Sequence, residues 1–517
     1  MRRIALTLAI GLLPLLFVPA AESQDLASFE ERTTVETLDN GLTVIVVERH
    51  EAPVFSFFTH VNVGADREVP GITGLAHMFE HMAFKGTHTI GTSDYEAEKK
   101  ALAKVEEAYR AYDRARRAKN PDTDEVERLE KEWRAAIEEA DQYVVSNEFG
   151  EIIDRVGGVG LNAFTSSDET GYFYSFPVNR LELWAYLESE RFMEPVMREF
   201  YEERDVVMEE RRMRSESNPV GRLVEQFLAA AFLAHPYGQP VVGWPSDLRT
   251  FSAADAKEFY DKYYVPSNMV VTVAGDVTPE EVLPVVRKYF GRLPAAPAPE
   301  PLRTEEPPQI AERKVVIEEQ TQPFYVEGYI KPPATHPDNA VYDAIADILS
   351  DGRTSRLYKS LVRDQKIAAV AAGFNNMPGE KYRNLFAFFA VPTPGHTPQE
   401  MQTAIREEID RLRTEKVSEE ELEMVKTKAK ANLLRQLRSN QGLAFQIGSY
   451  QALYGDWREL FRQVDRIDEV TAEDVLRVAQ ESFVPERRTV AMIQTTDPAE
   501  AEPGSPEGSG STEGEEG

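Results

Sequence analysis

The chain has 517 residues, of which 42% are hydrophobic, so it is long enough for two or more domains with sizeable cores. Its formal net charge of −30 argues against nucleic acid as a partner, because the phosphates would be repelled. The absence of cysteine excludes a disulfide framework and a lipid-modified cysteine. The acidity suits neutral or basic substrates, although a solvated, self-repelling surface explains the same charge.

The first 23 residues have the pattern of a secretory signal peptide. Arg2 and Arg3 precede an apolar run at 4–18 that is short for a membrane span, and small residues near Ala20 suit cleavage. An uncleaved N-terminal anchor is the alternative. No other stretch is apolar for long enough to span a bilayer. Export without cysteines favours a bacterial periplasm or the exterior.

A proline-rich stretch at 293–310 predicts an extended linker between a first domain at 24–292 and a second at 311–496. The two halves look duplicated. Segments 251–266 and 470–485 each run from a helix-capping pattern to an aromatic-Val-Pro step before a strand. Strands and helices mixed without strict alternation predict an α+β fold in each half.

Two segments stand apart from these halves. Residues 93–145 predict an antiparallel helical hairpin, because apolar residues recur at helical spacing on both sides of a break at 120–124. Ser93 and Glu96 form its predicted capping box. The charges of the hairpin indicate a solvated face, with a docking role as the alternative. Residues 497–517 contain no basic residue and few apolar ones, which predicts a disordered tail.

The strongest chemical signal is a group of three residues, His77, Glu80 and His81, in a segment at 74–86 without helix breakers between its glycines. The spacing i, i+3, i+4 places all three on one face of a helix. Two imidazoles one turn apart can bind one Zn²⁺, with the carboxylate beside them. This is the inverted form of the zincin pattern. A pair of surface or packed histidines is the alternative.

A second predicted helix, at 201–212, offers the third protein ligand that zinc requires. Glu203 and Glu210 are two turns apart and therefore share a face. Glu202 and Glu209 have the same spacing, so the helix alone does not choose between the two pairs. Without the metal motif, the same four glutamates would be interpreted as the exposed face of an ordinary charged helix.

The segment from His77 to Thr87 resembles the metal motif of the pitrilysin/insulinase peptidases. It is closest to the mitochondrial processing peptidase β branch and its bacterial relatives. The similarity extends over nearly the whole mature chain. Four further segments match the family in order: 157–165, 203–210, 235–238 and 264–266.

The resemblance implies a clam-like pair of related α+β domains, each with a mainly antiparallel sheet and packed helices, with the substrate added to a sheet edge. It makes Glu210 the third zinc ligand and Glu203 a carboxylate behind the ligands. It also makes Asn162 and Ala163 contacts to the substrate, with a simple turn residue as the alternative for Asn162. The hairpin is a departure, because most relatives have a much shorter connection there.

These ligands imply a mechanism. Two neutral imidazoles and one carboxylate leave a zinc ion net positive, which lowers the pKa of its water toward about 7. Glu80 then accepts the proton of that water as general base and delivers it to the leaving amine. The sequence therefore predicts a secreted endopeptidase, with one zinc ion per chain, that cleaves peptides or unfolded polypeptides.

A second departure concerns the substrate-binding pair of the C-terminal half. Family members that act alone carry an Arg and a Tyr there, near the scissile carbonyl. The Arg position is Arg363, but the Tyr position holds Val370, which cannot donate a hydrogen bond. Losing an oxyanion donor typically costs on the order of 10²–10³ in rate. We therefore expect a heterodimer with a zinc-free partner of the same fold that supplies the pair. A surface role for Arg363, with another donor elsewhere, is the alternative.

Two other classes of function compete with this prediction. The first is a non-catalytic assembly or binding subunit of the same fold, which would have no reason to keep His77, Glu80, His81 and Glu210 together. The second is an unrelated metal hydrolase that acts on non-peptide bonds. The predicted edge strand around Asn162 favours peptides.

Overall fold

The computed structural model describes residues 26–193 and 195–496. The predicted signal peptide at 1–23 and the predicted tail at 497–517 lie outside the described residues. Within the described part of the chain, no helix is both long enough and apolar enough to cross a membrane.

The described residues form two sheets surrounded by helices. The strands are β1 Thr33–Thr37, β2 Thr43–Glu48, β3 Val54–Val61, β4 Val159–Thr165, β5 Thr170–Pro177, β6 Met269–Gly275, β7 Arg313–Glu319, β8 Phe324–Lys331, β9 Ala368–Met377, β10 Asn384–Pro392 and β11 Arg488–Thr495. The helices are α1 Leu26–Arg32, α2 Leu75–Met82, α3 Tyr95–Arg116, α4 Thr123–Asp141, α5 Glu148–Arg155, α6 Leu181–Arg191, α7 Phe200–Arg211, α8 Pro219–Ala231, α9 Pro245–Leu248, α10 Ala253–Tyr263, α11 Pro279–Tyr289, α12 Asn339–Ser350, α13 Pro398–Thr414, α14 Glu419–Gln436, α15 Asn440–Tyr454, α16 Glu459–Glu469 and α17 Ala472–Ser482.

The two sheets share one topology. The first has the order β1-β2-β6-β3-β5-β4 and the second the order β7-β11-β8-β10-β9. Apart from β1, each sheet contains one parallel pair, β2–β6 or β7–β11, followed by three antiparallel pairs. This equivalence agrees with a duplication. The predicted α+β fold with mainly antiparallel sheets is confirmed.

The equivalent ends of the halves form as their sequences indicate. Ser252 and Asp255 make a capping box at the start of α10, and Thr471 and Asp474 make one at the start of α17. In each half a short 3₁₀ turn that begins at proline leads from this helix into an interior strand of the sheet, β6 or β11. A reciprocal pair of hydrogen bonds satisfies backbone donors at the start of both helices.

Helices from each half cover the sheet of the other half. Helix α15 packs on β3 and β6, where Leu443 and Ile447 join a buried cluster with Phe58. Helix α8 packs on β7, β8 and β11, where Phe227 and Ile493 are buried together. Burial of these apolar faces holds the two halves together. The predicted linker therefore separates the halves in sequence, but each half contributes a helix to a buried cluster on the other half's sheet.

The hairpin forms from α3 and α4, with a break at 117–122. Its cap differs from the prediction. The Asp94 carboxylate accepts a hydrogen bond from the backbone N–H of Ala97, whereas the Ser93 hydroxyl donates to the carbonyl of Tyr143. Ser and Asp are both favoured at the N-cap position, so the sequence does not distinguish Ser93 from Asp94. In the structure Thr92 forms a β-bridge with Val144, and the helix begins one residue later than predicted.

Candidate metal centre

Helix α2 carries the predicted metal motif. It begins after Gly74, whose φ of 93° is favourable only for glycine, and ends at Met82. The carboxylate of Glu68 accepts hydrogen bonds from the backbone N–H groups of Gly74 and Ala76, each at 2.7 Å. The start of the helix, and with it the orientation of its side chains, is therefore fixed by a buried side chain that lies outside the motif.

Helix α7 presents Glu203 and Glu210 to α2, and not the equally spaced Glu202 and Glu209. Val207, between the two carboxylates, is fully buried, which turns this face of α7 toward the core. Glu209 is exposed and pairs with Arg212. The structure therefore resolves the choice that the helical spacing leaves open.

The donor atoms converge on one point. One ligand atom each from His77, His81 and Glu210 lies within 4.8 Å of the others. Glu210 Oε2 is 3.5 Å from the Nε2 atom of each histidine. A tetrahedral zinc ion with ligand bonds of about 2.05 Å has ligand atoms about 3.3 Å apart, so this set fits zinc. No other such set of His, Cys, Asp or Glu is found among residues 26–193 and 195–496.

The protonation state of His77 also suits a metal. Burial, helped by the positive charges of His81 and Arg214, lowers the pKa of His77 to about 3. A neutral imidazole is the form that binds zinc. Arg214 also pairs with Glu210 Oε1 at 2.6 Å, which leaves Oε2 directed at the histidines.

A chain of charged groups stands behind His81. Its Nδ1 atom is 3.1 Å from Glu203 Oε2, and Glu203 Oε1 is 2.5 Å from the Lys85 ammonium, which also contacts Glu199 at 3.2 Å. Burial acts to raise the pKa of Glu203, but the hydrogen bonds from His81 and Lys85 outweigh it and hold the pKa below its usual value. Glu203 is therefore a carboxylate that fixes the ring orientation and tautomer of His81.

Glu80 lies on the open side of the same helix face. Burial raises its pKa above the usual value, although the hydrogen bond from Thr165 opposes this shift. The Thr165 hydroxyl donates to Glu80 Oε2 at 2.7 Å. Glu80 and His81 line a cavity of about 500 Å³. The carboxylate is therefore partly desolvated, held on one oxygen and open to a ligand.

The predicted substrate strand borders this cavity. Strand β4 is the last strand of its sheet and pairs only with β5. Asn162 lines the cavity, and its side-chain oxygen accepts a hydrogen bond from the N–H of Ala163 at 2.9 Å. Ala163 is buried opposite Tyr172 of β5. The structure thus brings Asn162 to the cavity and places Ala163 beside it in the strand.

Arg363 and Val370 are not brought to this cavity. The Arg363 guanidinium is more than half exposed and makes two hydrogen bonds with Asp364, at 2.6 and 2.8 Å. Val370 lies on the edge strand β9 and is 42% exposed. Among the described residues, the cavity lining comes from the first half alone.

The second half contains a counterpart of this site without its imidazoles. Helix α12 follows β8 and packs on edge strand β9, as α2 follows β3 and packs on β4. On the face that lines a cavity of about 720 Å³, Asp343, Ala346 and Asp347 keep the i, i+3, i+4 spacing but lack imidazoles. Asp343 accepts hydrogen bonds from Asn375 and Gln463 instead.

Several supporting residues were missed at the sequence level. Thr165 and Lys85 lie in or beside segments that the motifs mark, but their partners Glu80 and Glu203 are distant in sequence, so spacing gives no signal for them. Arg214 pairs with Glu210 four residues before it, a helical spacing that could have indicated it. The hairpin is a second case. Ring centroids of Tyr109 and Trp133 lie 4.4 and 5.2 Å from that of Tyr201 on α7. The hairpin therefore supports the helix that carries Glu203 and Glu210.

Fold and site together define a metallopeptidase-like chain. The family model described as Insulinase (Peptidase family M16) matches residues 43–116, and the model described as Peptidase M16 inactive domain matches residues 250–429. The predicted resemblance to the insulinase family is thereby confirmed.

Relatives and solved structures agree with this family. The chain is 26% identical to the zinc protease PqqE of Helicobacter pylori, covering 96% of this chain and 100% of that protein. It is 25% identical to an uncharacterised zinc protease of Mycobacterium leprae, covering 86% and 88%. A crystal structure of a protease from Helicobacter pylori matches with a TM-score of 0.75 at 26% identity, covering 89% and 99%. The periplasmic protease PqqL of Escherichia coli shares the fold, with a TM-score of 0.67 at 19% identity, covering 91% of this chain and 49% of that chain.

The comparisons support peptidase activity in general. Both of these relatives are named as zinc proteases. The inactive-domain match spans the end of the first half and much of the second, where the counterpart helix α12 lacks imidazoles.

Proposed function

We propose that this chain is an exported zinc-dependent endopeptidase that cleaves peptides or unfolded polypeptides. The observation that carries the proposal is the convergence of His77, His81 and Glu210 beside a cavity that Glu80 also lines. In this proposal the first three residues are the ligands of one zinc ion, and Glu80 is the general base.

Zinc bound by these donors would supply positive charge that acidifies a water molecule and polarises a peptide carbonyl. The chain's own residues do the rest. Thr165 holds Oε2 of Glu80, so we assign proton transfer to Oε1, which takes a proton from the attacking water and gives it to the leaving amine. Burial raises the pKa of Glu80 toward the pH at which such transfers are efficient. Glu203 and Lys85 hold His81 in place.

We assign the substrate to the free edge of β4. An extended peptide that pairs with this strand would pass Asn162 and come next to Glu80, because both residues line one cavity. Asn162 and Ala163 would then contact the substrate backbone. This arrangement favours peptides over non-peptide substrates, since the edge offers main-chain hydrogen bonds in register.

We also propose that the active enzyme is a heterodimer with a zinc-free partner of the same fold. Val370 supplies no hydroxyl, and Arg363 pairs with its neighbour Asp364 on the surface, so a partner would provide the Arg/Tyr pair. The cavity lining, restricted to the first half among the described residues, is compatible with this arrangement. Full activity of the isolated chain would refute the need for a partner.

The domain limits and the destination remain part of the proposal. We assign a signal peptide to 1–23, a zinc-binding domain to 24–292, a linker to 293–310 and a peptidase-like domain to 311–496. PqqL is described as periplasmic, and export of this chain to the periplasm or the exterior would follow from a functional signal peptide.

The test is hydrolysis of a quenched fluorescent peptide by the purified, zinc-loaded chain, before and after chelation, with Glu80→Gln as control. Cleavage that chelation and Glu80→Gln both abolish supports the proposal. A chain that binds zinc but cleaves only after a zinc-free relative is added supports the heterodimer. A chain that neither binds zinc nor cleaves would instead be the non-catalytic subunit that the inactive-domain match also allows.

A further inference from the structure

The equivalent edge hairpins of the two sheets meet at their turns. In the first half, residues 166–169 connect β4 to β5, and in the second half, residues 378–383 connect β9 to β10. The first turn carries Asp168, which is 8% exposed. The contact between these turns joins the substrate strand proposed above to the second half.

One carboxylate makes most of this contact. Asp168 Oδ1 accepts a hydrogen bond from the Tyr237 hydroxyl at 2.5 Å. Asp168 Oδ2 accepts from the backbone N–H groups of Glu380 at 2.5 Å and Lys381 at 3.2 Å. The Lys381 ammonium donates to the Asp168 carbonyl oxygen. Tyr237 belongs to a segment that matches the family in sequence but has no role in the mechanism above.

The approach of the turns is close enough to restrict the residue at 379. A Cβ atom on Gly379 would lie 2.5 Å from Asp168 Oδ2 and 2.6 Å from the Tyr237 hydroxyl. Real Cβ atoms essentially never come this close to another atom, so a side chain at 379 would force the Asp168 carboxylate or the Tyr237 hydroxyl to move. The Asp168 contact is therefore specific in geometry and not a loose surface ion pair.

The same turn leads directly into the catalytic region. Thr165, the last residue of β4, donates to Glu80 and lies three residues before Asp168. Within the turn, the Ser166 hydroxyl accepts hydrogen bonds from the N–H groups of Asp168 and Glu169, each at 3.1 Å. A short hydrogen-bonded turn thus connects Asp168 to Thr165 and to the free edge of β4.

We propose that Asp168 is a positioning residue, which fixes β4 and Thr165 relative to the second half. The proposal rests on the function proposed above insofar as β4 binds the substrate. Asp168→Ala removes every acceptor of the carboxylate and leaves the Tyr237 hydroxyl and two backbone N–H groups unsatisfied. The freed hairpin then samples positions in which its edge does not match an extended peptide.

Asp168→Ala should change KM more than kcat and should leave zinc affinity nearly unchanged. We expect KM for a quenched peptide to rise about tenfold or more, with kcat reduced less, because substrate pairing on β4 precedes the chemistry. Zinc affinity should stay within about twofold, since His77, His81 and Glu210 lie on α2 and α7. Asp168→Asn should recover most of the loss, because its carbonyl can accept from the two N–H groups and its amide can donate to the Tyr237 oxygen.

The deciding experiment is hydrogen exchange of the zinc-loaded full chain, read by mass spectrometry, for Asp168→Ala, Asp168→Asn and the exposed control Asp154→Ala. We expect exchange at 159–165 and 379–382 to quicken at least tenfold in Asp168→Ala, with α2 unchanged, and to remain near wild type in the other two variants. Unchanged exchange at 159–165, or equal acceleration in α2, would overturn the proposal.

The role of Asp168 can still be tested if Asp168→Ala does not fold or if the proposed peptidase function is wrong. If Asp168→Ala does not fold, Tyr237→Phe, which removes one of the three donors, should still quicken exchange at 159–165 by a smaller factor, and no change there would also overturn the proposal. If the wild-type chain and its partner cleave no peptide, the proposed function fails, whereas the exchange result still decides whether Asp168 positions β4.

Discussion

Replacement of Glu203 by Gln tests the charged chain behind His81. The change keeps the shape of the side chain but turns one oxygen into an amide nitrogen. If the remaining oxygen stays with His81 Nδ1, the amide donor faces the Lys85 ammonium, which loses its 2.5 Å contact and keeps only Glu199 at 3.2 Å. His81 is then oriented by a neutral group and not by a carboxylate.

The expected loss of zinc affinity is taken from the typical effect of removing a hydrogen-bond partner of a metal ligand. Loss of such a partner typically weakens metal binding by about 10–100-fold, or about 1.4–2.8 kcal/mol. We expect zinc affinity of Glu203→Gln, measured by competition with a chromophoric chelator, to fall within this range. The carboxylate is 16% exposed, so solvent screens the effect only in part.

Glu202→Gln is the matched control, since Glu202 lies on the same helix but does not contact the histidines. Its zinc affinity should equal that of the wild type within about twofold. Equal loss in both variants, or no loss in Glu203→Gln, would refute the assignment of Glu203 as the group that orients His81.

Three further predictions follow from the same structure. Thr165→Val removes the donor to Glu80 Oε2, so kcat/KM in the peptide assay should fall about tenfold at unchanged zinc affinity, and an unchanged rate would count against this hydrogen bond. Trp133→Ala empties a buried site between the hairpin and α7, and urea unfolding should show a loss of about 3–5 kcal/mol, whereas a loss below 1 kcal/mol would mean that the hairpin does not support α7. Burial lowers the pKa of Lys331 to about 7 from 10.5, so the folded chain binds fewer protons than the unfolded chain between these values and gains stability as pH rises through them. In Lys331→Met that gain, measured by thermal unfolding against pH, should be smaller than in the wild type, and identical pH profiles would contradict the shift.

The sequence identified the chemistry of the candidate site because helical spacing constrains it directly. His77, Glu80 and His81 had to share a face once a helix formed, and the structure places them so. The choice between Glu203–Glu210 and Glu202–Glu209 needed tertiary information, since it depends on which face of α7 buries Val207. The family resemblance supplied that information before the structure did.

The architecture was predictable in class but not in detail. Repeated capping boxes and proline steps indicated two related halves, which the shared strand order agrees with. The sequence did not predict that α8 and α15 each pack on the sheet of the other half. An apolar helix face shows that the helix is buried, but not which sheet it packs against. The hairpin shows the same limit. Its aromatic residues fit a seam between two helices, and only the structure shows that they also pack on Tyr201.

The central claim is that Glu210, with the two histidines, holds a zinc ion. The most direct test is the zinc content of purified wild type, Glu210→Gln and Glu209→Gln, measured by mass spectrometry after dialysis against trace zinc. The account predicts one zinc per chain in the wild type and in Glu209→Gln, and well below one in Glu210→Gln. Full zinc occupancy in Glu210→Gln, or its loss in Glu209→Gln, would contradict the account.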